Sequence, residues 1–421
     1  MLRQIHNCYD SHTHFSATGQ VALGLQLQSL NSAEAIGELR ILPEYYRGHW
    51  ITGFGWDQIE FPNEKILDQF FPKTPVLLSR VDGHTSWINS KAYNELVSLG
   101  FKLRSGNFNG ILQEQDHVNA LALLPNFNDI QQKSFLVESQ KIFNQAGFTH
   151  VRDLSMNLST WNILSQMHRE KNLTICLDTF VTSENLSQLN QVFAEISEMQ
   201  NNPCPQLKIH GVKIFIDGSL GSKTAYLSEN YLGSNTRGVL TWSLQDIKAL
   251  ITQVWQKGLD VAIHTIGDQA VHEVVQIARQ ISADGILGRL HLEHVEVLRP
   301  ETIQLMKPLH ITCYLQPCHW LSDEKWLKQI LPQSLLKNIF QWELLRKNKI
   351  PFFFGSDSPI EKPSLWNTQK ALIQSAEFNV PSLQADWLSY HSYPDSNWNK
   401  GLTEIKDEKI KQVYLNGESL I

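Results

Sequence analysis

Two histidines one residue apart, His12 and His14, lie in the segment Asp10-Ser11-His12-Thr13-His14-Phe15. On a strand, residues i and i+2 point to the same face, so the two imidazoles would converge on one point. Neutral imidazole nitrogens are zinc ligands. In a chain with 16 histidines one such pair carries little weight alone. Four more residues sit at or near the ends of apolar runs: Lys213 in VKIFIDG, His264 in VAIHT, His294 in LHLEH and Asp357 in FFFGSD. A lone lysine inside an apolar run is costly to bury unless it is paired or modified. Together the set offers four nitrogen ligands, one carboxylate and one amine that could be carbamylated, spread over five candidate strands.

Something must bring these residues together. Eight short apolar runs recur along the chain: CYDSHTHF, then GFTHVRDL from Gly147, LTICLDTFV from Leu173, LKIHGVKIFIDG from Leu207, LDVAIHTIGD from Leu259, RLHLEHVEV from Arg289, HITCYLQP from His310 and PFFFGSDSP from Pro351. Near-continuous apolar character suggests strands buried on both faces. Segments of helical periodicity lie between most of them. LQDIKALITQVWQKG precedes Leu259, DQAVHEVVQIARQI follows with Asp268 as N-cap, and QSLLKNIFQWELLRKN precedes Pro351. Strand–helix alternation implies a parallel sheet, and eight units predict an α/β fold of the (β/α)8 TIM-barrel type rather than an open doubly wound sheet. Active sites of such barrels form at the C-terminal ends of the strands, where the six residues fall.

About 130 residues separate His14 from the Gly147 run, too many for one strand–helix unit. The spacing predicts a large insertion after strand 1, roughly 45–125, rich in Trp, Gly and Asn. The barrel then covers 8–370, and 371–421 forms a C-terminal tail. The tail ends in IKQVYLNGESLI, which reads as a β-hairpin turning at Asn416-Gly417.

Composition narrows the function classes. The net charge is −6 and no long Lys/Arg run occurs, which argues against nucleic-acid or anionic-membrane partners. No apolar run approaches the ~18 residues of a membrane span. The five cysteines (Cys8, Cys176, Cys204, Cys313, Cys318) are scattered and form no CxxC, as expected of reduced thiols in a cytoplasmic protein. Serine catalysis by GSLGS (218–222) is disfavoured, because the GxSxG elbow is missing.

The ordered motifs resemble the amidohydrolase superfamily of metal-dependent hydrolases, and more fully its YtcJ-like branch, which includes N-substituted formamide deformylases. The resemblance rests on DSHTHF (10–15), DGHTSWINSKA (82–92), VKIFIDGSLGSKTA (212–225), AIHTIGDQAV (262–271), QPCHWLSD (316–323) and FGSDSPIE (354–361), and covers most of 8–370. It implies that His12 and His14 bind a more buried metal and that Lys213, carboxylated on its ε-nitrogen, bridges two metals. His264 and His294 would bind the second. Asp357 would contact a metal and its water, serving as general base and then acid. With Lys213 unmodified, a single ion is expected. The implied cofactor is Zn2+, one or two ions, or another divalent metal. The implied reaction is hydrolysis of an amide-like C–N bond, with an N-acyl or N-formyl amine as the leading substrate class. The alternative is an inactive barrel acting as a binding or assembly protein.

Trp56, His84 and Trp87 of the insertion would wall the substrate pocket, and His319, just beyond strand 7, would donate a hydrogen bond to it. Asp217 and Gly218 would shape the turn after strand 4. In HLEH (291–294), strand alternation puts His291 and His294 on opposite faces and leaves only His294 as a ligand. Members of the superfamily usually carry a β-sandwich completed by the C-terminus. The chain starts only a few residues before Asp10, so this sandwich is expected to be reduced to little more than the final hairpin, or absent. Apolar surface left exposed could then be covered in a homodimer.

Overall fold

The computed structural model describes residues 2–27, 45–56, 64–81, 83–104, 107–375 and 387–421. Eight parallel strands form one sheet in chain order: β1 Tyr9–Thr13, β2 His150–Met156, β3 Cys176–Thr182, β4 Leu207–Phe215, β5 Asp260–Thr265, β6 Leu290–His294, β7 Ile311–Leu315 and β8 Phe352–Phe354. Thr13 bridges Ser358 in parallel just beyond β8, so the first strand closes on the last and the sheet is a barrel. All eight strands coincide with the apolar runs. Apolar residues such as Val151, Leu177, Ile263 and Leu292 are fully buried, because helices such as Leu158–Arg169, Leu189–Asn201, Leu244–Gln256 and Asp268–Ala283 follow the strands. Helix starts are fixed by side chains: Asn157, Ser243 and Ser364 accept from the backbone N–H three residues on.

Two helix expectations change. The helix after β5 takes Gly267 as its N-cap, and Asp268 lies inside the first turn; its Oδ1 instead accepts from Ser228 N at 3.0 Å. The QSLLKNIFQWELLRKN segment forms two short helices, Gln333–Leu336 and Trp342–Lys347, rather than one. Phe340 between them is left-handed (φ 47°) and donates its N–H to Glu296 O at 2.7 Å, which ends the helical ladder.

Beside the barrel, Leu2–His6 pairs antiparallel with Gly401–Lys406, which pairs with Lys409–Leu415 and through it with Glu418–Ser419. The last two strands are the hairpin, turned by left-handed Asn416 (φ 52°) and Gly417 (φ 86°), a pairing that L side chains other than Asn rarely allow. One four-stranded sheet therefore stands where little more than the final hairpin was expected. Thr403 Oγ1 donates to Gly147 O at 2.6 Å and ties it to the barrel.

The chain divides into two compact units: Met1–Phe15 with Gln140–Ile421, and Ser16–Ser139. The second is wider than the 45–125 read from composition. Its sheet runs Leu25–Gln26, Trp50–Trp56, Val76–Arg80, Thr85–Ile88, Ile111–Gln113, with Tyr46–Arg47 pairing Trp50–Trp56. Asn89 holds it together: its Oδ1 accepts from Val76 N and Ala92 N, and its Nδ2 donates to Phe71 O and Thr74 O. Asp82 of DGHTSWINSKA lies outside the described residues.

Candidate metal centre

β1 pairs with β2 in a register that shifts between Asp10 and Thr13. His12 Nε2 and His14 Nε2 each lie 3.3 Å from Asp357 Oδ1. Asp357 gets there by a left-handed backbone (φ 58°), with its N–H donating to His12 O at 2.8 Å. Gly355 lets the two strands approach: a Cβ there would stand 2.5 Å from His12 N. Asp10 Oδ1 accepts from Ser356 N at 2.8 Å and pins the same junction. Burial works against the Asp357 carboxylate, yet the His12 ring beside it, followed by His14 and His294, holds it well below the usual range.

The opposite wall comes from β4, β5 and β6. Lys213 is fully buried, and its Nζ has no hydrogen-bond partner among the described residues. Burial lowers its pKa to about 8, against the pull of Glu293 and Asp357. His264 Nε2 lies 3.2 Å from Gly218 O. The His294 ring is 4.5 Å from His264 and 4.6 Å from His12, centroid to centroid, and joins the two walls. Burial, then the neighbouring imidazoles, press its pKa well below the ordinary value, so it stays a neutral donor.

These residues fit a divalent cation. Lys213 Nζ, His294 Nδ1 and Asp357 Oδ1 are buried atoms without hydrogen bonds among the described residues, and buried polar atoms are otherwise paired in folded proteins. The 3.3 Å contacts of Asp357 Oδ1 lack hydrogen-bond geometry, as expected where three donor atoms aim at a common point. His12, His14 and Asp357 place one donor atom each within 4.8 Å of one another, and so do His294, Glu296 and His319. Imidazole nitrogen with carboxylate oxygen is a donor set suited to zinc.

Three residues not anticipated from the sequence, Glu293, Arg152 and Glu296, support the site together with Asp217. Glu293 Oε2 lies 2.7 Å from His12 Nδ1, and Oε1 lies 2.9 Å from Arg152 Nη1. Both side chains are fully buried, and the guanidinium packs on Tyr314 and Phe180. Against complete burial, Arg152 and then His12 hold Glu293 down to about 2. Asp217 accepts from Ile266 N, Gly267 N and Tyr226 N, binding the loop after β4 to that after β5. Glu296 Oε1 pairs with His319 Nδ1 at 2.9 Å.

One correction concerns β6. His291 and His294 do not diverge to opposite faces. His291 is buried against Phe180 and Tyr314 and contacts Asp260, low in the barrel interior. Left-handed His294 (φ 69°) and Val295 (φ 49°) break the alternation and swing His294 inward as well. Of the two, His294 is the one whose ring neighbours His12 and His264. A second correction concerns the insertion. Trp56 and Trp87 are 2% and 0% exposed and pack with Leu25, Leu27, Ile51, Leu67, Val76 and Leu78 in the second unit's own core. Side chains without exposed surface offer none to a substrate, so neither forms a pocket wall. His84 is half-buried and lies 3.1 Å from Glu114. His319, in the first turn of helix Pro317–Ile330, does reach the centre: its Nε2 is 3.6 Å from Asp357 Oδ2.

Comparison with known proteins agrees with this geometry. The sequence profile described as "Amidohydrolase family" matches residues 9–380. The chain is 28% identical over 399 residues to "Putative amidohydrolase YtcJ" of Bacillus subtilis (strain 168), covering 89% of this chain and 74% of that one. Among solved structures it is similar to an uncharacterized metal-dependent hydrolase from Pyrococcus furiosus (TM-score 0.69, 25% identity, 88% of this chain and 76% of that one). Another, from Pyrococcus horikoshii OT3, shares the fold at a TM-score of 0.71 and 23% identity, over 94% of this chain and 80% of that one. Among the described residues, no helix is long and apolar enough to cross a membrane.

Proposed function

The chain belongs to the amidohydrolase family of hydrolases, and from that premise we propose that it cleaves an amide-like carbon–nitrogen bond of a small molecule, an N-acyl or N-formyl amine. The observation that carries this reading is the convergence of His12, His14, Lys213, His264, His294 and Asp357, with three orphaned buried donor atoms among them, at the C-terminal ends of the barrel strands. His12, His14 and Asp357 would hold one Zn2+, and His264 and His294 a second. Lys213 suits the bridging role once carboxylated: its pKa near 8 leaves a share of free amine at neutral pH to add CO2 with loss of a proton. A cation held there would supply a water of lowered pKa and a Lewis acid for the substrate carbonyl.

The protein's own groups do the rest. Asp357, ionised and 3.3 Å from both β1 histidines, takes the proton of the attacking water and returns it to the leaving nitrogen. Its left-handed backbone, pinned to His12 O, fixes the carboxylate for both transfers. Glu293, at 2.7 Å from Nδ1, would leave His12 Nε2 as the nitrogen offered to a metal. Elemental analysis of protein grown with zinc, followed by a screen of N-formyl, N-acyl and cyclic amides, tests the proposal. At least one equivalent of metal is expected, with turnover abolished in Asp357→Asn while the chain stays folded. Metal below a tenth of an equivalent, or full metal with no turnover of any amide, would refute it.

A further inference from the structure

We propose that Glu296 and His319 form a dyad that presents His319 Nε2 to the substrate's carbonyl oxygen, with His319 as the group in contact and Glu296 as its positioning residue. This rests on the hydrolytic reading above and names a binding element within it. His319 Nδ1 is engaged with Glu296 Oε1 at 2.9 Å, which fixes the ring's rotation. Its Nε2 is buried, has no hydrogen-bond partner among the described residues, and lies 3.6 Å from Asp357 Oδ2. The ring stacks on His294 at 5.9 Å with planes 15° apart, which fixes its tilt. A nitrogen so aimed and unsatisfied is costly to bury unless a bound molecule completes it. Its place beside the group that delivers the proton is where a carbonyl oxygen under attack must sit. With a carboxylate facing each ring nitrogen, Glu296 at Nδ1 and Asp357 at Nε2, the ring carries both protons, and a fixed Nε2–H is worth more in the transition state than in the ground state.

His294, Glu296 and His319 also place donor atoms within 4.8 Å of one another, so the rival assignment for His319 is a metal ligand. The test separates the two. His319→Leu, His319→Gln and Glu296→Gln are prepared alongside wild type and loaded with zinc. Zinc content, thermal melting, calorimetric affinity for acetohydroxamate (a small carbonyl probe) and steady-state turnover of an amide from the screen are measured.

His319→Leu should keep its zinc and melt like wild type, bind acetohydroxamate at least tenfold more weakly, and lose about 100-fold or more in kcat, with KM changed little. His319→Gln retains an N–H and should recover part of both losses. Glu296→Gln should fall between wild type and His319→Leu. Loss of zinc from both His319 variants would make the residue a ligand and overturn the proposal. Equal acetohydroxamate affinity in wild type and His319→Leu, or no binding by either, would also overturn it. Should wild type turn over no amide while the probe still distinguishes the variants, the amide reading fails and the dyad stands.

Discussion

Replacing Glu293 with glutamine should damage the protein in two separable ways. The carboxylate is fully buried, accepts from Arg152 and faces His12 Nδ1 at 2.7 Å. Its pKa drops from 4.5 to about 2, which corresponds to about 3 kcal/mol of stability. That contribution is present in full above pH 4.5 and is lost as the pH falls toward 2, because the unfolded chain takes up the proton first. Breaking a buried pair by removing one partner costs about 3–5 kcal/mol, since the remaining charge is stranded. Both routes predict that Glu293→Gln destabilises the metal-free protein by about 3 kcal/mol or somewhat more. The second loss is metal affinity. Without a carboxylate at Nδ1 the His12 ring is no longer held in the tautomer that frees Nε2, and affinity should fall about 10–100-fold.

The double variant Glu293→Gln/Arg152→Met separates these effects. Removing the stranded guanidinium should recover most of the stability, measured by chemical denaturation of metal-free protein. It should recover none of the zinc affinity, measured by competition with a chromophoric chelator. Wild-type zinc affinity in Glu293→Gln, or recovery of affinity together with stability in the double variant, would refute the assignment of Glu293 to His12.

Three other outcomes follow from the same structure. Lys213→Met replaces a buried amine that has no hydrogen bond among the described residues with an apolar chain of similar length; it should leave the metal-free protein as stable or more stable in denaturation while lowering metal stoichiometry. Gly355→Ala puts a Cβ 2.5 Å from His12 N. Backbone cannot yield as a side chain can, so the β1–β8 junction must open, and zinc content should drop along with the melting temperature. His150 and His391 are buried and their pKa values are lowered to about 4 by burial. Each binds its proton in the unfolded chain near pH 6.5 but in the folded one only near 4, so stability should fall across that window by about 3 kcal/mol per histidine. Denaturation midpoints measured between pH 7 and 4 should flatten in His391→Gln, and an unchanged slope would count against it.

The legible part of this protein was the part written in periodicity. Eight apolar runs became eight barrel strands because hydrophobic pattern reports which residues face the helices, whatever lies on the other face. The Asn416-Gly417 turn was legible because few residue pairs tolerate two left-handed positions in succession. The strand Leu2–His6 left no such signal. Four of its five residues are exposed, and only pairing with Gly401–Lys406 makes it a strand. The tryptophans misled because large aromatic residues serve cores and pockets equally, and composition cannot tell which.

The segment HLEHVEV shows why the second layer of the site stayed hidden. Alternation groups His291 with Glu293 and sets His294 apart. That holds up to Glu293, which reaches Arg152 and His12 inside the barrel. At His294 and Val295 the backbone turns left-handed, the count restarts, and His294 and Glu296 both end up in the interior. Nothing in the residue types marks that turn, since neither position is glycine. It is imposed by tertiary hydrogen bonds: Val295 N donates to Thr265 O, Val297 N to Ile266 O, and Phe340 N to Glu296 O. Two glutamates that a sequence reading treats as ordinary strand polarity therefore acquire different tasks three residues apart. Glu293 holds His12 through Nδ1, and Glu296 holds His319 through Nδ1. The kink between them aims each at its own partner, and straightening it would deprive both histidines at once.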